Sequence, residues 1–346
     1  MQQTPLEELE VVVAYDPSSP QTWLELGDLR ARDGQQLPAL LAWFEAVTRA
    51  QQKGLWLDAA STPTPILDSV INAITQVRTR RRELYFGSYE YLRARHGGAS
   101  LARVDRALSA HLKESEGRPT DSRQKPRFFF FPDLPTAPYL DPSAQPWAPV
   151  LRNAYSAIRA EAISLLQNTE GFEAFVRLRK GDEIANYLGG REPAWEAYFF
   201  YRHGKRFDEH HARCPQTSRA LESIELCNIA DHAPEICFSL LSPGTHILPH
   251  YGVTNARSVM HLPLIVPADC AFNILGASEH VWKEGELMMF DDTFQHEAWN
   301  RSKENRLILL MDCWNPALTK VEKQAVTRLI ESIGRLHRAA RASATR

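Results

Sequence analysis

The feature that most constrains this chain is a succession of short β-rich runs in its second half. They lie at residues 198–201, 236–241, 245–248, 259–266, 270–275, 286–290 and 307–313, with turn residues and no helical periodicity between them. Parallel strands need a crossover, usually a helix, between each pair, so βαβ units are excluded and the runs predict an antiparallel sandwich or jelly roll. The first part of the chain reads differently. Residues 1–112 show apolar positions at three-to-four spacing, in 23–29, 37–47, 66–77 and 89–112, and no strand signal. The expected class is therefore α+β, with a helical N-terminal domain before a β domain.

Within the helical part, Trp23, Leu26 and Gly27 fit the opening of a tetratricopeptide helix pair, and Ala39, Trp43 and Ala46 fit its second helix. Only one copy is visible, and a solenoid needs several, so a plain helical hairpin with an aromatic core is an equal reading. The arginines between Arg78 and Arg82 carry no interleaved aromatics and read as a solvated helix face. Residues 113–126, KESEGRPTDSRQKP, are polar, contain two prolines and lack apolar periodicity, which predicts a linker. The second domain then covers 127–346, opening with a proline-punctuated stretch from Phe128 and a helix over 147–166. Thr319 and Glu322 form a capping box. The helix after it, with Val321, Val326, Leu329, Ile330, Ile333 and Leu336 on one face, is expected to pack on the sheet and to end in a frayed basic tail.

Bulk properties narrow the function classes. The net charge of -2, with 24% charged residues, lacks the basic excess expected of a nucleic-acid binder. The N-terminus has no basic segment followed by an apolar run, and no stretch is long and apolar enough to span a bilayer, so membrane insertion is not expected and a cytoplasmic location is. The 5 cysteines are widely spaced with no CxxC pair, which suggests neither a disulfide framework nor a zinc clip.

The chemistry concentrates in Pro249-His250-Tyr251-Gly252 and in the run from Phe290 to Glu297, which contains Asp291, Asp292 and His296. Both histidines sit at strand ends beside turns. A jelly roll brings such distant strands to one mouth, where neutral imidazoles can hold a borderline metal such as Fe(II) with open positions left. In order and spacing, residues 239–319 resemble the aspartyl/asparaginyl β-hydroxylase family of 2-oxoglutarate oxygenases. The resemblance rests on Ser239, Pro243-Gly244-Thr245, the two histidine words, Thr254-Asn255-Ala256-Arg257, His261-Leu262, Trp282, Trp299-Asn300, Arg306 and the run from Asp312 to Pro316. Weaker echoes at Trp195, Gly204 and Cys214-Pro215-x-Thr217, and in the proline-rich entry from Phe131 to Tyr139, extend it to about 127–325 and leave the helical N-terminus outside.

The resemblance implies a double-stranded β-helix with flanking helices, holding Fe(II) between His250 and His296 and using 2-oxoglutarate and O2 as co-substrates. A carboxylate commonly stands two residues after the first histidine in non-haem iron sites. Here that position is Gly252. The family manages with water in the third place, and Asp292 is either the group that hydrogen-bonds that water or a simple Asx cap. Arg306 matches the family's arginine for the distal carboxylate of 2-oxoglutarate, a role suited to a bidentate guanidinium; the other reading is a surface salt bridge. Ser239 and His261 match positions that hydrogen-bond the co-substrate, and each could instead be an ordinary strand residue.

One departure stands out. The family's Arg-x-Arg-x-His is here Arg257-Ser258-Val259-Met260-His261, with Val259 in place of the second arginine. Arg257 shares a strand face with His261 and stands to compensate in part. Pro263, where glycine is usual, should stiffen this strand or place it at an edge.

The expected function is hydroxylation of an unactivated C–H, at the β-carbon of an Asp or Asn side chain in a peptide, protein or amino acid. A lipid acyl chain or another small molecule is the alternative substrate. A different class, a binding or scaffold protein that has kept the jelly roll without efficient turnover, is supported by Val259 alone. A zinc hydrolase lacks a third protein ligand.

Overall fold

The computed structural model describes residues 4–168, 171–175 and 195–343. The chain divides into two compact units, one of residues 1–95 with 328–346 and the other of 96–327. The sequence boundaries at 112 and 126 are not where the chain divides. Residues 96–126 lie with the β unit, and the end of the terminal helix lies with the helical one. Apolar periodicity shows that a helix has a buried face but not what covers that face, which is why the terminal helix was assigned to the sheet.

In the helical unit, α1 (Pro5–Tyr15), α2 (Pro20–Arg32), α3 (Gln36–Gln52), α4 (Leu67–Gly87) and α5 (Glu90–His96) follow in order. Thr4 and Glu7 form a capping box that starts α1. Gly27 is fixed by packing: a Cβ there would lie 2.4 Å from the Trp43 ring, so α2 and α3 approach closely only with glycine at this position. Trp23 is fully buried, and the Trp43 indole donates to Asp28 at 2.9 Å. The expected continuous helix over 89–112 is broken at Gly97, whose φ of +79° is costly for other residues, and resumes as α6 (Ala102–His111) in the β unit. The long α10 (Lys320–Ala342) begins in the β unit with the expected box, Thr319 N–H donating to Glu322 at 2.8 Å. Its later turns bury Leu329, Ile330 and Ile333 within the helical unit, where Ser332 donates to the Leu84 carbonyl. The basic end is helical through Ala342 rather than frayed; residues 344–346 fall outside the described residues.

The β unit is built of antiparallel strands: β1 (Tyr139–Leu140), β2 (Glu173–Ala174), β3 (Trp195–Arg202), β4 (Lys205–Arg206), β5 (Ile236–Leu241), β6 (Thr245–His250), β7 (Arg257–Ile265), β8 (Cys270–Ile274), β9 (Met288–Phe290), β10 (His296–Asn300) and β11 (Arg306–Trp314). The larger sheet runs β1-β9-β7-β11-β5-β3-β2 with β4 beside β3, and the smaller runs β6-β10-β8. Three more helices complete the unit: α7 (Ala148–Asn168), α8 (Asp208–Arg213) and α9 (Pro215–Glu222).

The two-residue period of the central strands sorts their side chains into two cores. Phe238, Leu240, Met260, Leu262, Leu307 and Leu309 face outward against Leu151 and Ile158 of α7 and Leu221 of α9. The alternate positions face inward against the smaller sheet, where Ile247, Phe272 and Ile274 meet Leu241, Val259 and Phe290. Both faces of β5 are covered, which is why this strand is apolar at every position but Ser239. By the same alternation Ser239, Arg257, His261, Arg306 and Asp312 all point inward. Pro263 is tolerated because β9 pairs β7 only at Val259–His261, beyond which the Gly285 N–H donates to the Pro263 carbonyl and no N–H is called for at residue 263, and the ladder with β11 shifts register beside it.

Candidate active site

His250, the last residue of β6, and His296, the first of β10, are direct cross-strand partners, with ring centroids 4.1 Å apart. Each ring is held by the chain just before it: His250 Nδ1 contacts the Leu248 carbonyl at 2.8 Å and His296 Nδ1 the Phe294 carbonyl at 2.9 Å. A carbonyl only accepts, so both Nδ1 atoms carry the proton and both lone pairs sit on Nε2, as a metal ligand requires. Burial pushes the His296 pKa down to about 3, with His250 beside it adding to the shift, and burial also lowers His250. The pair is neutral at pH 7.

Gly252 is explained by its neighbour. A Cβ at this position would lie 2.0 Å from both Cγ and Oδ2 of Asp292, so the Asp292 carboxyl fills the space a side chain here would need. The Asp292 side chain is buried, and its Oδ1 has no hydrogen-bond partner. Burial pushes its pKa up to about 8, although Arg257 pulls the other way. Among the described residues no group of three or more His, Cys, Asp or Glu is placed to hold a metal, so the donor set at this mouth is two imidazoles with a carboxyl nearby.

These groups line a cavity of about 210 Å³ whose wall also contains Arg306, Ser239, His261, Val259 and Arg257. Arg306 is 1% exposed, stands 5.1 Å from the Trp282 ring, and its Nε has no partner. The reading of Arg306 as a surface salt bridge is excluded by this burial. Burial lowers its pKa to about 10, which still leaves it charged at neutral pH. Two indoles prepare its neighbours. Trp195 Nε1–H donates to Ser239 Oγ at 3.0 Å, which leaves the serine proton free to donate. Trp282 Nε1–H donates to His261 Nδ1 at 3.3 Å, so the proton of this buried, neutral imidazole is on Nε2.

Val259 sits on the same wall between Arg257 and His261 and presents apolar surface. Arg257 is paired with Asp312, which also accepts the Glu235 N–H at 2.7 Å, while Arg257 Nε has no partner. The structure thus brings all seven sequence-predicted site residues to one cavity. Sequence reasoning assigned no role to Trp195 or Trp282 and overlooked residues 124–131. That stretch, read as the end of a linker and the start of a domain, runs along both histidine-bearing loops, with Lys125 N–H donating to the Thr293 carbonyl at 2.7 Å and Arg127 N–H to the Gly252 carbonyl at 3.0 Å. A backbone that pairs through its own N–H groups leaves no side-chain signature.

A pair of strand-end histidines and a buried guanidinium thus share one cavity of an antiparallel β fold, and comparison with known proteins gives the chain a family. Residues 152–316 match the aspartyl/asparaginyl beta-hydroxylase family. The chain is 31% identical over 251 residues to aspartate beta-hydroxylase domain-containing protein 2 of Homo sapiens, covering 71% of this chain and 64% of that one, and of Mus musculus, covering 71% and 69%. It is 29% identical over 177 residues to the aspartyl/asparaginyl beta-hydroxylase of Homo sapiens, 51% of this chain and 22% of that one. A Pseudomonas putida prolyl-4-hydroxylase structure is similar over 46% of this chain and 87% of its own at 16% identity, with a TM-score of 0.29 too low to carry an assignment. The chain belongs to the aspartyl/asparaginyl β-hydroxylase family. No helix among the described residues is long and apolar enough to cross a membrane.

Proposed function

We propose that this chain is an Fe(II)- and 2-oxoglutarate-dependent hydroxylase whose β unit is a double-stranded β-helix, with the β-carbon of an Asp or Asn side chain in a peptide, protein or amino acid as its target. The observation that carries the reading is Arg306, a buried guanidinium with no acidic partner among the described residues, in the same cavity as the neutral histidine pair. An unpaired buried charge is costly, and a carboxylate ligand that lands on it offsets that cost.

Fe(II), 2-oxoglutarate and O2 together supply the oxidising chemistry, in which one oxygen atom enters the substrate C–H bond and the other enters succinate as CO2 leaves. The chain's residues do the rest. His250 and His296 would hold the metal through Nε2, and Asp292 Oδ1, buried without a hydrogen-bond partner, would accept from a water standing in for a third protein ligand. Arg306 and the Ser239 hydroxyl grip the distal carboxylate, while His261 donates from Nε2. The apolar wall of Ile247, Val259, Phe272 and Phe290 keeps bulk water away from the reacting centre. Arg257, committed to Asp312, contributes charge to the same wall from its Nε side. The α2–α3 hairpin, if of tetratricopeptide type, suits an extended peptide. The five cysteines, all unpaired and buried, suit a reducing, cytoplasmic compartment.

Succinate formation from 2-oxoglutarate, measured with Asp- and Asn-containing peptides, tests this reading. The wild type is expected to turn over and His296→Ala to fall to background. Succinate release by wild type and His296→Ala at equal rates would sink it.

A further inference from the structure

The strongest unassigned feature is the extended segment 124–131, which lies outside the family-matched residues 152–316. It forms an antiparallel bridge from Gln124 to Phe294 and a parallel bridge from Phe129 to Thr254, so one strap touches the loop after His250 and the loop before His296. Phe128 and Phe129 N–H both donate to the Val253 carbonyl at 3.0 Å. Further along, Asn255 closes a reciprocal pair with the Phe131 backbone at 2.7 and 2.8 Å.

The strap also bonds through a side chain of its own. Gln124 Nε2 donates to Asp291 Oδ2 at 2.6 Å, with Gln124 3% and Asp291 2% exposed. The other Asp291 oxygen accepts from the Thr293 N–H and hydroxyl, so the carboxylate closes the turn that leads into His296. That turn is tied to the other loop in its turn, because the Gly252 N–H donates to the Asp292 carbonyl. Removing the Gln124 amide leaves a buried carboxylate oxygen without a donor, the costly kind of loss. Asp291 can recover only by turning toward water, and the Asp291–Thr293 turn must move with it.

We propose that Gln124 is a positioning residue that holds the two histidine-bearing loops in register through Asp291. Its role toward the metal rests on the iron reading above. Its role in ordering the loops does not.

Two readouts on the full chain keep these apart. Gln124→Met keeps the length and removes the donor. Leu151→Ala, in α7 on the far side of the larger sheet, serves as a control whose destabilisation is remote from the loops. Anaerobic calorimetric titration of Fe(II) into Gln124→Met is expected to show affinity about 10–100-fold below wild type. Amide hydrogen exchange in the metal-free chain is expected to quicken about tenfold or more at Gly252 and Thr293, and not in Leu151→Ala. Wild-type values for both readouts in Gln124→Met, or equal changes in Leu151→Ala, would overturn the proposal. If the wild type itself binds no Fe(II), the iron reading fails, and exchange alone decides the strap: quickening confined to the two loops upholds it, and unchanged protection overturns it.

Discussion

Arg306→Met is expected to raise the 2-oxoglutarate concentration needed for half-saturation about 100- to 1,000-fold while making the ligand-free protein more stable. The two effects have one origin. Among the described residues no acidic group pairs with the buried guanidinium, its Nε has no partner, and burial depresses its pKa from the ordinary arginine value to about 10. A basic group whose folded pKa lies below its unfolded value disfavours the folded state wherever it is protonated. The full penalty therefore applies below about pH 10, and stability rises with pH only from there up to the ordinary arginine value. An apolar side chain of similar length relieves the penalty, and replacing buried charges in this way stabilises by about 1–4 kcal/mol in favourable cases. The same exchange removes a charge-assisted, bidentate partner for a carboxylate, a loss of about 3–4 kcal/mol in a desolvated site. Thermal unfolding of ligand-free Arg306→Met at pH 7 should give a midpoint at or above wild type, and a 2-oxoglutarate titration should show the weakened binding. A lower midpoint with unchanged affinity would mean that Arg306 is a structural residue.

The second large effect is at Gly252. Gly252→Ala puts a methyl group 2.0 Å from the Asp292 carboxyl, which is buried and cannot withdraw into solvent. Overpacking of this kind costs about 1–3 kcal/mol, and displacing Asp292 also disturbs the Asp292 carbonyl that accepts the Gly252 N–H. Activity should fall to background. Gly252→Ala combined with Asp292→Ala should regain most of the lost stability, because the colliding group is gone, but not the activity. A denaturant-melt double-mutant cycle reads the coupling directly. Additive losses would show that the two positions do not compete for space.

Gly252 also illustrates what the sequence conveys and what it withholds. The missing carboxylate two residues after His250 is visible in the sequence, but that Asp292, from a different strand end, takes up its space is a fact of three dimensions. The β runs were legible from their composition and turns, and the shared face of Arg257 and His261 from the period of two, whereas Ser239 and Arg306 were singled out by resemblance alone. The helical hairpin around Gly27 and Trp43 was legible for a similar reason, since a tryptophan seated on a glycine imposes its own spacing. The partner of the terminal helix was not, because periodicity reports a buried face without naming its cover. Nor was the strap at Gln124, whose polar, proline-bearing sequence is what a linker also looks like. Its function lies in backbone donors and one buried amide. The donors that set Ser239 and His261, Trp195 and Trp282, were recognisable as residues but not as hydrogen-bond partners until the fold brought them together.

One cavity is expected to bind Fe(II) at the histidine pair and 2-oxoglutarate between that metal and Arg306. Anaerobic absorption spectroscopy of the protein with Fe(II) and 2-oxoglutarate, following the visible metal-to-ligand charge-transfer band, checks both at once. A band that saturates at one Fe(II) per chain in the wild type and is lost in His250→Ala and His296→Ala is the predicted result, with Arg306→Met requiring far more 2-oxoglutarate to reach it. Absence of the band in the wild type, or its persistence without the histidines, would contradict the account.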